Sequence, residues 1–211
     1  MIPRIFEQGA AGNENVANSE IWLQEVSFVK GERYLIEAAS GTGKTSLCAY
    51  IMGMRKDYSG ALWFDGKNTA DFSRGKWAKI RQHSLSWLPQ EMGLFPSLTL
   101  MENILLKNRL TNYLSLKKIT ELIERMGLEE KINTKASLLS IGQQQRTAFI
   151  RALCQPFDFI ILDEPVSHLD KANNANLSKI LDEVLKSTGA GVILTSVGNR
   201  LQLEYLKKIS L

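Results

Sequence analysis

Uninterrupted runs of apolar residues mark the strongest elements that the sequence predicts. Residues 159–162 read FIIL, and residues 192–195 read VILT. A strand that is apolar at consecutive positions is buried on both faces, which is typical of a parallel sheet covered by helices. Residues 33–39 predict a further buried strand, although Glu37 near its end is an unusual charge for such a place.

Weaker patterns predict more elements between these strands. Residues 21–28 alternate apolar and polar side chains as a half-buried strand does, and residues 1–20 read as a loop or a weak edge strand. Apolar residues at three- and four-residue spacing predict a helix over residues 115–130. Other helices are predicted at residues 46–54, 97–108 and 179–185 and after Ser140, and other strands at residues 61–64, closed by a turn at Asp65 and Gly66, and at residues 84–88.

The alternation of helices with apolar strands predicts an α/β fold with a mostly parallel sheet and crossover helices. Ligands of such sheets bind beyond the carboxyl ends of the strands, so the residues that follow each strand are the candidates for function. At 211 residues the chain has the size of one large domain, or of a domain with an inserted subdomain, and is long enough for a substantial core.

Composition and charge exclude several classes of protein. Cys48 and Cys154 each fall on a predicted helix without metal-ligand spacing, which indicates a reducing compartment and no disulfides. No segment approaches the ~18 apolar residues of a membrane span. Pro3, Arg4 and Glu7 interrupt any apolar signal peptide. The net charge of +4 is dispersed and does not indicate nucleic acid as a partner. We therefore expect a soluble or membrane-peripheral protein.

Residues 38–45, AASGTGKT, have the pattern of a phosphate-binding loop between a strand and a helix. Gly41 and Gly43 would let backbone N–H groups turn inward around phosphate oxygens. Lys44 would reach the β- and γ-phosphates, and the hydroxyl of Thr45 would bind Mg²⁺. Ala38 replaces the usual first glycine, which requires a negative φ there. A glycine-rich turn without ligand is the alternative interpretation. The predicted nucleotide contacts in this loop are Ser40, Gly41, Thr42, Gly43, Lys44, Thr45 and Ser46.

Two adjacent carboxylates, Asp163 and Glu164, follow the apolar run at residues 159–162. Carboxylates at the end of a buried strand cost free energy unless a cation compensates them. Because the phosphate-binding loop is predicted at the same edge of the sheet, Mg²⁺ is the expected cation. Helix capping is the alternative role for this pair.

Several motifs in a fixed order resemble those of the ATP-binding subunits of ATP-binding-cassette (ABC) transporters, from about Leu23 to Thr195. The phosphate-binding loop is followed by Leu88-Pro89-Gln90, which resembles the loop that places a glutamine at the metal. Residues 139–146, LSIGQQQR, differ from the family signature LSGGQQQR at one position. Residues 159–165 resemble the Walker B strand with its glutamate, and residues 167–170, SHLD, resemble the D-loop. Residues 95–99 followed by Glu102 and Asn103 look most like the branch of lipoprotein-release, macrolide-export and cell-division ATPases.

This resemblance implies a P-loop NTPase fold. The whole chain, residues 1–211, would form one ABC-type ATP-binding domain. It would contain a mostly parallel core sheet, an antiparallel β subdomain and an α-helical subdomain inserted at approximately residues 91–152.

The resemblance also implies that ATP lies between two subunits. Glu164, Gln90 and Lys44 would be catalytic, with Glu164 polarising the attacking water, and Thr45, Gln90 and Asp163 would hold Mg²⁺. Ser140, Gly142 and Gln143 would contact the γ-phosphate bound by the opposite subunit. Asp170 would join the two sites, and Ser196 would occupy the place of a histidine that contacts the γ-phosphate.

Three positions depart from the family pattern. Ile141 replaces the first signature glycine, which would cost about 1–3 kcal/mol if a glycine-only conformation were needed there. Ser196 replaces the histidine that contacts the γ-phosphate, and its hydroxyl can donate a hydrogen bond but cannot carry a positive charge. No obvious aromatic residue precedes Leu23 to stack on adenine; Asn18 lies near the expected place, and Trp22 is a substitute in poor register.

Of the two histidines, His168 stands in the D-loop, where a dimer-interface role and simple surface tolerance are both open. His83 is expected to be an ordinary surface residue.

The function expected from the resemblance is ATP binding and hydrolysis that powers a separate membrane permease. The chain would act in the cytoplasm, peripherally on the inner face of the cytoplasmic membrane, with a second ABC ATPase subunit in a homo- or heterodimer. Two alternatives stay open. One is a degenerate subunit that binds ATP and signals by dimer closure with little hydrolysis, and the other is a soluble ABC ATPase without a permease.

Overall fold

The computed structural model describes residues 2–3, 19–205 and 207–211. Its centre is a five-stranded, all-parallel sheet in the order β6-β7-β8-β2-β9. The strands in chain order are β1 (Ile2–Pro3), β2 (Arg33–Glu37), β3 (Tyr58–Ser59), β4 (Trp63–Phe64), β5 (Lys67–Asn68), β6 (Leu85–Leu88), β7 (Phe159–Asp163), β8 (Gly191–Ser196) and β9 (Lys207–Ser210).

Helices cover the sheet. They are α1 (Lys44–Ile51), α2 (Arg74–His83), α3 (Leu100–Asn108), α4 (Leu116–Arg125), α5 (Ile141–Leu153) and α6 (Lys171–Thr188), with short 3-10 helices at Thr69–Asp71, Glu129–Lys131 and Ala136–Leu138. None of the helices in the described ranges is long and apolar enough to cross a bilayer.

Consecutive residues of the central strands bury their side chains on opposite faces of the sheet. In β7, Ile160 and Leu162 belong to an apolar cluster with residues of α3, α4, α5 and α6, whereas Ile161 belongs to a second cluster with residues of α1 and α2. All three side chains are fully buried. Each such burial stabilises the fold by about 1.5–3 kcal/mol, which explains why the strand sequence is apolar without alternation.

The predicted α/β class is therefore confirmed. Two antiparallel ribbons, β1 with β3 and β4 with β5, lie outside the parallel sheet. Within the predicted insertion at residues 91–152, the described structure contains α3, α4 and most of α5, and α3 packs against α5. The division of the chain at these bounds stays a prediction.

The predicted strand at residues 21–28 is wrong. Residues 21–24 form a turn, and residues 25–29 have no regular structure. The hydroxyl of Ser19 accepts hydrogen bonds from the backbone N–H groups of Ile21 (3.0 Å) and Trp22 (2.8 Å), and both of these adjacent side chains are buried. A side chain that bonds the local backbone competes with strand pairing, and this competition decided the local structure.

Helix α2 and strand β9 have no counterpart among the predicted elements. In α2 the buried apolar side chains are Trp77 and Ile80, and in β9 only Ile209 is buried. Such sparse apolar positions give little periodicity to detect. The helix expected at residues 46–54 begins earlier and ends at Ile51, and that expected at residues 115–130 ends at Arg125.

Candidate functional site

The carboxyl ends of four neighbouring parallel strands bring the predicted site residues to one edge of the sheet. Strand β2 leads into the loop before α1, β6 leads to Gln90, β7 ends at Asp163, and β8 ends at Ser196. These segments are far apart in sequence and adjacent only because the strands are parallel. This edge is where an α/β sheet binds ligands.

The loop between β2 and α1 has the backbone of an anion-binding turn. Gly41 has φ +82° and Gly43, the N-cap of α1, has φ +100°, which are conformations that glycine adopts without strain. Ala38 does not have a positive φ. This meets the condition under which alanine can replace the usual first glycine of the loop. The start of α1 thus offers N–H groups and a positive dipole end to an anion.

Lys44 lies beneath this loop with 5% of its surface exposed. Its Nζ donates hydrogen bonds to the carbonyl oxygens of Ala38 (3.0 Å) and Ala39 (2.7 Å), and it lies 3.6 Å from Oε1 of Glu164. The carbonyl oxygens of Ala38 and Ala39 therefore fix the position of the ammonium group against the loop. The predicted phosphate-binding cation and the predicted catalytic carboxylate are neighbours.

Trp22 supports the loop and does not offer a face to adenine. It is 1% exposed, and its indole N–H donates to the carbonyl oxygen of Thr42 at 3.3 Å. The hydroxyl of Thr42 in turn donates to the carbonyl oxygen of Ala39 at 2.9 Å. The suggestion that Trp22 stacks on the base is wrong, because its ring is covered by protein. The other suggested residue, Asn18, lies outside the described residues.

Asp163 has the properties of a metal ligand. The side chain is buried, and its Oδ1 accepts a hydrogen bond from Oγ1 of Thr195 at 2.5 Å. Its Oδ2 is buried without a hydrogen-bond partner in the described part of the chain. A buried carboxylate oxygen without a partner is costly, and a cation removes that cost.

The other two predicted metal ligands also meet at this edge. Oγ1 of Thr45 donates to Oε1 of Gln90 at 3.4 Å, although 45 residues separate them in the chain. A hydroxyl, an amide oxygen and a carboxylate are all hard oxygen donors, the kind that Mg²⁺ prefers. The donor set of Thr45, Gln90 and Asp163 therefore fits Mg²⁺.

Glu164 has φ +50°, which is uncommon for a residue with a side chain. Its N–H donates to the carbonyl oxygen (3.3 Å) and to the hydroxyl oxygen (3.2 Å) of Thr195. A left-handed conformation costs a non-glycine residue about 1–2 kcal/mol, so it persists only where the surroundings fix it. Here it turns the chain sharply after β7 and aims the carboxylate towards Lys44.

The first turn of α5 carries the residues predicted to face a second subunit. Ser140 is its N-cap and forms a capping box with Gln143, in which Ser140 Oγ accepts from the N–H of Gln143 (3.3 Å) and Gln143 Oε1 accepts from the N–H of Ser140 (2.9 Å). Within the described residues, no hydrogen bond joins Ser140, Gly142 or Gln143 to the phosphate-binding loop of the same chain. Their predicted contact with nucleotide stays a prediction.

Ile141 needs no glycine-only conformation. It is the first residue of α5, and its φ is not positive. The backbone strain considered from the sequence is therefore absent. The side chain is 51% exposed, so its effect would come from its bulk on the surface.

Ser196 and Asp170 have other partners within the chain. The fully buried hydroxyl of Ser196 donates to the carbonyl oxygen of Asn199 at 2.5 Å and accepts from the N–H of Gly198 at 3.0 Å. Asp170 is the N-cap of α6, and hydrogen bonds from Asn173 lower the pKa of its carboxyl group. Their predicted roles at the nucleotide stay predictions.

Three residues that the sequence did not single out contact the site. The hydroxyl of Thr195 donates to Asp163 and accepts from the N–H of Glu164. Arg55 donates from Nη1 to Oγ of Ser46 at 2.8 Å. Gln145 donates from Nε2 to the carbonyl oxygen of Glu164 at 3.3 Å. Only Gln145 had a sequence signal, because it lies within residues 139–146. The contacts of Thr195 and Arg55 depend on how distant segments pack.

Neither histidine side chain bonds a residue of the phosphate-binding loop in the described structure. His83 is exposed, as expected, and His168 is exposed with its Nδ1 2.9 Å from Oγ of Ser167. Cys48 and Cys154 are buried free thiols. Burial is the largest cause that raises the pKa of each, well above its ordinary value for Cys48 and to about 12 for Cys154.

Comparison with known proteins identifies the family of the chain. A family model described as ABC transporter matches residues 24–167. The lipoprotein-releasing system ATP-binding protein LolD of Buchnera aphidicola is 32% identical over 182 residues, covering 85% of this chain and 78% of that protein. The macrolide export ATP-binding/permease protein MacB of Bartonella quintana is 31% identical over 173 residues, covering 81% of this chain and 26% of that protein, so the chain spans about a quarter of its length.

Solved structures of similar fold include a dimeric, post-hydrolysis state of the ATP-binding cassette MJ0796 bound to ADP and Pi. The match has a TM-score of 0.74 and 28% identity, and it covers 82% of this chain and 78% of that one. The fold predicted from the sequence, a P-loop NTPase, is thereby confirmed. The two relatives are a lipoprotein-release and a macrolide-export protein, in agreement with the predicted branch.

Proposed function

The chain belongs to the ABC transporter family and is an ATP hydrolase of that family, and from this premise we propose that it powers a separate membrane permease as one subunit of an ATPase dimer. It would act at the cytoplasmic face of the membrane. The similarity to LolD of Buchnera aphidicola, the ATP-binding protein of a lipoprotein-releasing system, supports a role as the ATP-binding member of a transport system.

Nζ of Lys44 and Oε1 of Glu164 are 3.6 Å apart, and this closeness is the observation that supports ATP hydrolysis as the activity of the subunit. One group neutralises phosphate charge and the other polarises a water molecule, so hydrolysis of a terminal phosphate needs both at one place. The flanking loop, together with Oδ2 of Asp163, which has no hydrogen-bond partner among the described residues, would supply the rest of such a site.

In the proposed mechanism, the N–H groups at the start of α1 and the ammonium group of Lys44 bind the phosphates. Thr45, Gln90 and Asp163 would hold Mg²⁺, which would neutralise charge on the phosphates. Glu164 orients the attacking water and accepts its proton. Lys44 bonds the carbonyl oxygens of Ala38 and Ala39, which keep its charge beside the loop until phosphate oxygens replace them.

A second subunit would complete each site. Ser140 and Ile141 at the start of α5 are exposed, and Ser140, Gly142 and Gln143 are the residues that would contact the phosphate on the opposite subunit. A ligand held between two subunits contacts the closed dimer far more than the open one, so ATP binding would drive closure and hydrolysis would reverse it.

Substitution of Glu164 by Gln tests the assigned base. We expect ATP turnover to fall at least ~100-fold, which is typical for loss of a general base, while the Kd for ATP changes little. Glu130→Gln, which neutralises an exposed carboxylate, is the matched control and should keep full turnover. Unchanged turnover in Glu164→Gln would show that another group is the base.

The permease is tested by subunit composition. The chain should co-purify from detergent-solubilised native membranes with an integral membrane protein in fixed stoichiometry, and the same experiment shows whether the second ATPase is identical. Recovery of soluble partners only, while a control transporter complex stays intact, would contradict the proposal and favour a soluble ABC ATPase.

A degenerate subunit that binds ATP with little hydrolysis is the second candidate, favoured by Ile141 and Ser196. In a homodimer every site would carry both departures, because Ser196 acts on the nucleotide of its own chain and Ile141 on that of the partner. In a heterodimer each site would carry one. A measured turnover that is near background in the assembled complex would favour this candidate.

A further inference from the structure

The side chain of Gln145 joins helix α5 to the turn that follows β7. It is 2% exposed, and its Nε2 donates to the carbonyl oxygen of Glu164 (3.3 Å) and to Oγ of Ser167 (3.3 Å). Its Oε1 accepts a hydrogen bond from the N–H of His168 at 3.2 Å. One buried amide therefore holds both ends of the segment from Glu164 to His168.

These bonds fix the backbone of Glu164 from its carbonyl side. Thr195 holds the N–H of Glu164 on the other side through its carbonyl and hydroxyl oxygens. Because Glu164 has φ +50°, it needs such external contacts to keep its conformation. The direction of its carboxylate, 3.6 Å from Lys44, follows from that backbone.

The same turn packs closely on the beginning of α5. A Cβ atom added to Gly142 would lie 3.2 Å from the carbonyl oxygen of His168, so the two backbones are in near contact. Gln145 follows Gly142 by one helical turn, so both contacts lie on one side of the helix. A movement of α5 thus acts on the turn at two points.

We propose that Gln145 is a positioning residue for Glu164, through which the position of α5 sets the direction of the catalytic carboxylate. This inference rests on the proposed role of Glu164 in hydrolysis and does not depend on the permease. The side chain of Gln145 is buried among protein atoms and acts on the reaction through the backbone that it holds.

Replacement of Gln145 by Leu removes the hydrogen bonds and keeps a similar volume. We expect the kcat of the full chain, with any partner that co-purifies, to fall about 10- to 100-fold, the range that is typical when a residue that orients an active-site group is replaced. The Kd for ATP, measured by titration, should stay within about threefold, because Gln145 bonds no residue of the phosphate-binding loop. A parallel loss of ATP affinity would indicate a general disturbance of the site and overturn the proposal.

Gln155 provides a matched control. It is also a buried glutamine, 1% exposed, and its Nε2 donates to the carbonyl oxygen of Leu85 at 3.0 Å, a partner outside the turn after β7. Gln155→Leu should lower thermal stability as Gln145→Leu does and leave kcat within about twofold. An equal loss of kcat in both variants would show that the effect is structural.

Two further measurements separate positioning from stability. In a Glu164→Gln background, Gln145→Leu should change the residual single-turnover rate by less than about twofold, because residues that act through one another are non-additive. The same fold loss in both backgrounds would overturn the proposal. Independently of activity, hydrogen exchange at the amide of His168 should be faster in Gln145→Leu. Unchanged exchange there would also overturn it.

If no permease co-purifies with the chain, the permease hypothesis fails. The fold-changes in kcat and in single-turnover rate that test the role of Gln145 would not be affected by that result.

Discussion

The hydroxyl of Thr195 donates to Oδ1 of Asp163 across 2.5 Å, within a fully buried pair contributed by adjacent parallel strands. This bond satisfies one carboxylate oxygen and leaves Oδ2 as the oxygen without a partner in the described structure. The same hydroxyl accepts the N–H of Glu164 at 3.2 Å. Thr195 therefore orients the predicted metal ligand and the predicted base together.

Substitution of Thr195 by Val should weaken metal binding. Valine has nearly the same shape but cannot orient Asp163, so we expect the Mg²⁺ concentration for half-maximal hydrolysis to rise about tenfold. A Mg²⁺ titration of ATPase activity measures this. Thr195→Ser keeps the hydroxyl and should stay close to the unmodified protein; an equal shift in both variants would show that the hydroxyl is not the cause.

Two helix caps allow stability to be separated from activity. Ser140 caps α5 and Thr99 caps α3, each in a capping box. Ser140→Ala and Thr99→Ala should each lower the free energy of unfolding by about 1 kcal/mol, measured by denaturant titration. Only Ser140→Ala should also lower ATP turnover, because only that cap is predicted to meet the partner's nucleotide. Loss of turnover in both variants would contradict the assignment.

Removal of the side chain of Ile141 tests whether isoleucine in place of the first signature glycine lowers the rate of ATP hydrolysis. Ile141→Gly should raise turnover about tenfold or more, which corresponds to ~1.4 kcal/mol in the barrier. The side chain is half exposed in the first turn of α5, where the proposed second subunit would approach. Leu138→Gly, at another exposed apolar position, is the control. No rise in Ile141→Gly would show that isoleucine is compatible with full activity.

The cysteines should be unreactive in the folded protein. Cys48 and Cys154 are buried, and burial raises the pKa of each thiol above its ordinary value. A raised pKa means less thiolate at pH 8, and the thiolate is the nucleophile. Iodoacetamide at pH 8 should therefore modify neither residue until denaturant is added, as read by mass spectrometry. Native-state labelling of Cys48 would show that α1 opens.

The sequence by itself determined the main strands, the phosphate-binding loop and the cap at Ser140. Each of these has a local cause: consecutive apolar residues in strands covered on both faces, glycines where φ is positive, and a hydroxyl at a helix start. The parallel arrangement then followed from the alternation of strands and helices, and it brought Lys44 to Glu164 as expected.

Only the tertiary structure decided which side chains support the site. The strand predicted at residues 21–28 gave way to a turn bonded by Ser19, which buries Trp22 against Thr42. The bonds of Thr195 and Gln145 to Glu164 cross 31 and 19 residues of chain. No local pattern marks such pairs, because they form where separate elements pack, and burial then makes an unpaired polar group costly.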